Sequence, residues 1–283
     1  MDVAVVVTAF DQGGQVAEAV ASVRAQTRPV TELVVVDDGS AGPGSLVVLD
    51  ALRADGVRVL RQANRGVAAA RNSGITATGA PLVVVLDGDD RLAPTFLEHV
   101  LPRLDEPEVV AASAWLRLHG VASGSARPAG GRLVDFLHRN ACPGSGVVLR
   151  RTAWAAAGGY DEAMRHGFED WDLYLALLAA GGAVAVVPEP LVEYRTAPAS
   201  ANVRSMPRRL ELYRGLVEKH RPAFQRHLVD VLVAQEETAV RRLAAWEDLV
   251  AADPELPLGD PTYGDGGMAA HVRVATVRAA RLV

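Results

Sequence analysis

The sequence predicts an α/β fold: a mixed, mostly parallel sheet flanked by helices, with a helical extension at the C-terminal end. Three observations predict it. Short apolar runs without polar alternation, such as 3–7 and 82–86, suit strands buried on both faces. Stretches with apolar residues at helical spacing lie between those runs, and this alternation is the pattern of a parallel sheet covered by helices. From about residue 205 the runs stop and only helical periodicity is left.

The first strand is 3–7. A glycine pair at 13 and 14 follows, and Val16, Val20 and Val23 then recur as one face of a helix. The second strand, 33–36, stops at Asp37-Asp38-Gly39-Ser40. A helix over 46–52, a strand over 57–60 and an Ala-rich helix over 67–78 come next. The strand 82–86 stops at Asp87, and Pro94 opens a helix running to about residue 104. Beyond 105 the alternation breaks. A long strand is expected at 109–118, a Gly/Ser-rich loop at 120–131, and a further strand at 147–150, so this half of the sheet is mixed. A helix from about 170 to 180 ends at Gly181-Gly182, and two short strands, 184–187 and 191–194, follow. Leu210, Tyr213, Val217, Phe224, Leu228, Leu232, Leu243, Trp246 and Val250 suit one or two amphipathic helices, with Pro222 opening the second. The Pro/Gly/Asp-rich stretch 253–267 reads as a loop and 268–283 as a short basic helix. The expected organisation is a domain over 1–204, with halves at about 1–105 and 106–204, and an extension over 205–283.

Composition narrows the function. The 283 residues are 49% hydrophobic and 22% charged, enough for a sizeable core. A net charge of −5 argues against a nucleic-acid partner, which needs a basic face. Asp2 before the first strand does not resemble the basic start of a signal peptide, and no apolar run reaches the ~20 residues of a membrane span, so a cytoplasmic location is expected. The single cysteine, Cys142, rules out an internal disulfide and has no Cys-His context, so it reads as a small buried residue. Lys219 is the only lysine beside many arginines, a bias that fits a GC-rich genome better than any structural demand.

Two strand ends carry acidic clusters, and in open α/β sheets ligands gather beyond the carboxyl ends of strands. Asp87-Gly88-Asp89-Asp90 sets two carboxylates about one small residue. Both can turn to one point, where they suit Mg²⁺ or Mn²⁺ bridging a diphosphate; the plain alternative is a solvated Asp-rich turn. Asp37-Asp38-Gly39-Ser40 can accept from a base N–H or a ribose hydroxyl, or simply form a turn. Glu169 and Asp170 stand at a helix start, where an acid serves as a cap or as a general base toward an acceptor hydroxyl.

Taken in order, these pieces resemble the family 2 inverting glycosyltransferases of the GT-A (Rossmann-like) fold. The resemblance is carried by 5–11, by Gln26-Thr27-Arg28-Pro29, by 33–40, and by the run Asn64-Arg65-Gly66 through Arg71-Asn72-Ser73-Gly74. Leu86-Asp87-Gly88-Asp89-Asp90 resembles the family's DxD metal motif, and Gly159-Tyr160-Asp161-Glu162 with Glu169-Asp170 its acceptor-side pair. The match covers roughly residues 3 to 200. It implies that Thr8, Ala9, Phe10 and Asp37 or Asp38 hold base and ribose, with Asn64, Gly66, Arg71, Asn72, Asp87 and Gly88 also toward the nucleotide-sugar. Asp89 and Asp87 would ligate Mn²⁺ or Mg²⁺, Asp170 would be the catalytic base, and Glu169 and Trp171 would face the acceptor. The donor would be a nucleotide-diphosphate sugar, most simply a UDP-sugar, and the acceptor a glycan, a lipid-linked carrier or a small molecule. Two departures stand out. Thr8 and Phe10 replace the family's opening Pro and Tyr. Ala197 also stands where many members end a Tyr-Arg-x-His stretch, so a water or another residue would complete the metal shell. His166 is a conceivable substitute, although a solvent-facing loop histidine is the simpler reading.

Two rival readings share features of this pattern. A catalytically degenerate sugar-nucleotide-binding or scaffold protein would share the fold. A nucleotidyltransferase would need a cationic phosphate loop after the first strand, which Asp11-Gln12-Gly13-Gly14 lacks. The C-terminal helices are a candidate surface for a homodimer.

Overall fold

The computed structural model describes residues 2–198, 200–253, 255–262 and 265–280. The chain divides into two compact units, Met1–Phe224 and Gln225–Val283.

Among the described residues the first unit is built on nine strands: β1 Val3–Ala9, β2 Glu32–Asp37, β3 Arg58–Arg61, β4 Leu82–Asp87, β5 Arg91–Leu92, β6 Val109–Gly120, β7 Gly124–Ala126, β8 Val147–Arg150 and β9 Ala183–Thr196. They form one sheet in the order β3-β2-β1-β4-β8-β6-β9-β5, with β7 paired to β6 off that path. β1, β2, β3 and β4 are mutually parallel, whereas β8 runs antiparallel between β4 and β6. Because β8 reverses direction on both sides, β6 and its parallel neighbour β9 point the same way as β4. All five long strands therefore end at one edge, where the acidic clusters lie. β1 is buried over its whole length, as its unbroken apolar run requires. Val16, Val20 and Val23 of the helix Gln15–Arg24 face the core beside Phe96, Leu97 and Leu101.

The elements differ from expectation in three places. The stretch 120–131 is not all loop, because β7 pairs with Leu116–Leu118 of β6. The two short strands expected at 184–187 and 191–194 are one strand, β9, whose register shifts opposite Ala114, Trp115 and Leu116. Pro188 and Pro190 lie in that bulge, where a missing N–H breaks no ladder bond. The helix expected from Pro94 begins at Phe96 and tightens into a 3₁₀ turn over Leu101–Asp105.

The helix Arg209–Lys219 belongs to the first unit. Its Leu216 is buried, whereas Leu210 is exposed, so only part of the expected apolar face is used. In the second unit the helices Leu228–Ala252 and Gly267–Ala280 are joined by an Arg273–Glu247 ion pair. Arg278 donates to the carbonyls of Val250, Asp253 and Leu256, which closes the end of the longer helix. The basic helix expected over 268–283 is present from 267 to 280, and its last three positions lie outside the described residues. No helix among the described residues is long and apolar enough to cross a membrane.

Candidate active site

The residues expected on the nucleotide side surround the ends of β1 and β2. The Asp38 amide donates to the Ala9 carbonyl at 2.8 Å, holding the two strand ends together. Phe10 follows with a half-exposed ring available for stacking. Asp37 is buried; its Oδ1 accepts the Ser40 amide at 2.9 Å, and its Oδ2 lies 3.3 Å from Arg61 Nε. Asp38 turns into the 62–66 loop, accepting from Gln62 Nε2 and the Arg65 amide on Oδ1 and from the Gly66 amide on Oδ2. Asp38 thus shapes the loop that carries Asn64 and Gly66.

At the end of β4 the carboxylates fan out. Asp87 Oδ1 accepts the Thr8 hydroxyl at 3.2 Å and Arg71 Nη2 at 2.8 Å. Asp89 Oδ1 accepts the Gln12 side-chain amide at 3.0 Å. Gly88 lies so close to β1 that a Cβ there would meet Gln12 Oε1 at 2.5 Å and the Thr8 carbonyl at 2.8 Å. Asp90 is buried and accepts the Arg195 amide on Oδ1 at 2.9 Å. Burial, and then the charge of Asp87, push Asp90 up to about 8 and raise Asp89 as well, where Arg195 partly opposes them. Carboxylates crowded together in a confined site suit a hard divalent cation, and their oxygens are the ligands Mg²⁺ and Mn²⁺ take. Among the described residues no three His, Cys, Asp or Glu side chains converge on one point. Two carboxylates would therefore have to be joined by ligand oxygens or water. His166 is exposed on its loop.

The third cluster is joined to the second by one side chain. Arg71, 2% exposed, donates through Nη1 to Glu169 Oε1 and through Nη2 to Asp87 Oδ1, both at 2.8 Å. Its guanidinium lies 5.3 Å from the centre of the Tyr160 ring. Phe168, at φ 70, turns the chain into the helix Glu169–Ala179 and brings both acids to this point. Asp170 accepts Asn140 Nδ2 and its neighbour's amide, Trp171 N, each at 2.8 Å. Burial raises Asp170, against the pull of Arg71, and pushes Glu169 up to about 7.

Several expected roles move. Trp171, expected on the acceptor side, has its ring buried against Phe168 and Tyr213, and its N–H donates to the Phe136 carbonyl at 2.6 Å. Its place in the run Glu169-Asp170-Trp171 gave no sign that successive helical residues point to different sides. Asn72 is spent on both backbone groups of Tyr160, and Arg71 points at Asp87 and Glu169. Cys142 is buried, its thiol pushed up to about 12 by burial, and is no nucleophile. Gln12, Asn140 and Ser145, whose hydroxyl accepts the Asp87 amide at 3.0 Å, belong to the site and carried no sequence signal.

A mostly parallel mixed sheet with acidic clusters at its edge and a buried acid at a helix start defines the class: a GT-A type fold. The profile described as glycosyl transferase family 2 matches residues 4–171, and the chain belongs to that family. A second profile, glycosyltransferase like family 2, matches residues 129–232. Two relatives are succinoglycan biosynthesis proteins of Rhizobium meliloti (strain 1021). ExoU is 32% identical over 205 residues, 66% of this chain and 59% of its own length. ExoO is 32% identical over 206 residues, 66% of this chain and 58% of its own. The chain thus spans less than two thirds of the length of these relatives. Solved structures of S. aureus TarS 1–349 are also similar. One superposes with a TM-score of 0.62 at 17% identity, over 82% of this chain and 71% of that one. The UDP-GlcNAc complex gives 0.60 at 17%, over 71% and 60%. At that identity the likeness shows the fold.

Proposed function

We propose that the protein transfers a sugar from a nucleotide-diphosphate sugar, a UDP-sugar by preference, to an acceptor hydroxyl or amine with inversion, using Asp170 as the base. The observation that carries this reading is the Arg71 fork. It ties Asp87 to Glu169, next to Asp170, so the acids that this reading assigns to donor and acceptor lie in one site. The UDP-GlcNAc complex of a protein with the same fold supports the donor. The names of ExoU and ExoO favour a growing saccharide as acceptor.

Thr8 and Gln12 orient Asp87 and Asp89, the carboxylates that would hold Mn²⁺ or Mg²⁺. That ion, when bound, neutralises charge on the departing diphosphate. Asn140 holds Asp170 on one oxygen, fixing the carboxylate for proton transfer. Asp170 takes the proton of the acceptor O–H while that oxygen bonds to the anomeric carbon. On the opposite face the bond to the diphosphate oxygen breaks, and its electron pair leaves with the nucleoside diphosphate. A single displacement of this kind needs no covalent enzyme intermediate. We assign the reaction to the cytoplasm.

A thermal-shift panel of UDP, GDP and dTDP with and without Mn²⁺ tests the donor site, since a bound ligand raises the melting temperature by linkage. UDP with Mn²⁺ should give the largest shift, and Asp89→Ala should remove its Mn²⁺-dependent part. No shift with any diphosphate sinks the reading. Binding with no release of UDP from UDP-GlcNAc, indifferent to Asp170→Asn, favours the scaffold reading that Ala197 suggests.

A further inference from the structure

Lys219, the chain's only lysine, ends the helix Arg209–Lys219. Its Nζ lies 2.6 Å from Asp161 Oδ2 and 2.8 Å from Asp172 Oδ2. His220 Nε2 meets the other oxygen of Asp172 at 2.8 Å. The two carboxylates sit on different segments. Asp161 is on the 157–162 loop, directly after Tyr160, which lies against Arg71. Asp172 is on the helix Glu169–Ala179, two residues beyond Asp170, and its side chain is 3% exposed.

An open cavity of about 410 Å³ separates these segments, and its walls include Ala157, Gly158, Gly159 and Ala176. Such small side chains pack little across the gap. Gly158 and Gly159 have φ 82 and 77, a region open to glycine, and their amides donate to the Ala155 and Trp154 carbonyls at 3.1 and 2.9 Å, so the loop turns directly out of the helix Arg151–Ala156. Asn72 ties the loop through Tyr160 and Glu162 to the helix Val67–Thr76. Lys219 ties it to the helix of Asp170. The lysine is itself anchored: Leu216 is buried, and Tyr213 donates to the Leu137 carbonyl at 3.1 Å and packs on Trp171 at 5.5 Å.

We propose that Lys219 is a positioning residue for sugar transfer: its bridge between Asp161 and Asp172 fixes the 157–162 loop against the helix that presents Asp170, and so sets where an acceptor hydroxyl meets that carboxylate. The role in transfer rests on the reading above; the bridge does not.

The bridge can be read chemically, because an acetylating N-hydroxysuccinimide ester finds one side-chain amine in this chain. Acetylation of Lys219, followed by mass spectrometry, should be slow in the wild type and several-fold faster in Asp161→Asn. Hydrogen exchange over 157–162 should quicken in Lys219→Met and return toward wild type in Lys219→Arg. Equal acetylation rates, or unchanged exchange, overturn the bridge whether or not the protein is a transferase. The role in transfer is read with UDP-GlcNAc as donor and a set of p-nitrophenyl glycosides as acceptors. Lys219→Met should lower kcat/KM for the acceptor about tenfold, Lys219→Arg should recover most of it, and the UDP Kd should stay within about twofold. A parallel loss of UDP binding, or an arginine variant no better than methionine, overturns the positioning role. If the wild type itself releases no UDP, the transferase reading fails, the positioning role falls with it, and the acetylation and exchange results still decide the bridge.

Discussion

Arg71→Met removes the buried cation that forks between Asp87 and Glu169. Breaking a buried ion pair from one side strands its partners and costs about 3–5 kcal/mol. For a domain of this size that corresponds to a fall of roughly 6–20 °C in melting temperature, at about 2–4 °C per kcal/mol. The loss should depend on pH, with a sign set by Glu169. Its ordinary value is 4.5 and burial pushes it to about 7, so the folded state holds a proton there that the unfolded chain has released. That contribution is fully present below the ordinary value and is lost as pH rises through about 7. At pH 5.5 burial favours the neutral form of Glu169 with or without Arg71, so on that side the variant loses a hydrogen bond, while Asp87 loses its cation at either pH. At pH 8 the variant must bury a carboxylate without its cation or take up a proton, so the gap to wild type widens. Scanning calorimetry at the two pH values reads both effects, and Arg71→Met/Glu169→Gln should recover part of the loss at pH 8. A fall of less than about 2 °C, a gap larger at pH 5.5 than at pH 8, or strictly additive losses in the double variant would refute the account.

Gly88→Ala should cost about 1–3 kcal/mol, because the Gln12 amide can move aside but the Thr8 carbonyl cannot. It should also weaken the Mn²⁺-dependent thermal shift, since Gln12 would be pushed off Asp89; an unchanged melting curve and shift would show that the strands part without cost. Turnover should rise with pH as Asp170 loses its proton, with a midpoint above the ordinary aspartate value because burial favours the neutral form. A pH–rate profile of UDP release that is flat or falls in that range counts against Asp170 as the base.

Much of the fold was legible because period and composition act locally. The runs at 3–7, 33–36 and 82–86 have no polar residue to face solvent, so they were readable as doubly buried strands, and the acids that stop them had to lie at strand ends. The family was legible from motif order. Local pattern could not show which way β8 runs, and β8 is what turns β6 and β9 to end beside β4 and sets Arg195 next to Asp90. Nor could it separate neighbours on the helix Glu169–Ala179, where Asp170 meets Asn140 while Trp171 enters the core.

The sequence by itself determined the alternation of strands and helices, the acids at their ends and the residue types that suit a divalent cation and a proton acceptor. Only the tertiary structure decided which of those groups meet. Arg71, Asp87 and Glu169 come from a helix, a strand end and the start of a distant second helix. Their contact depends on chain crossings whose directions are set by sheet packing and not by any local residue pattern. The same is true of Lys219, an unremarkable helix end in the sequence that the fold sets between Asp161 and Asp172.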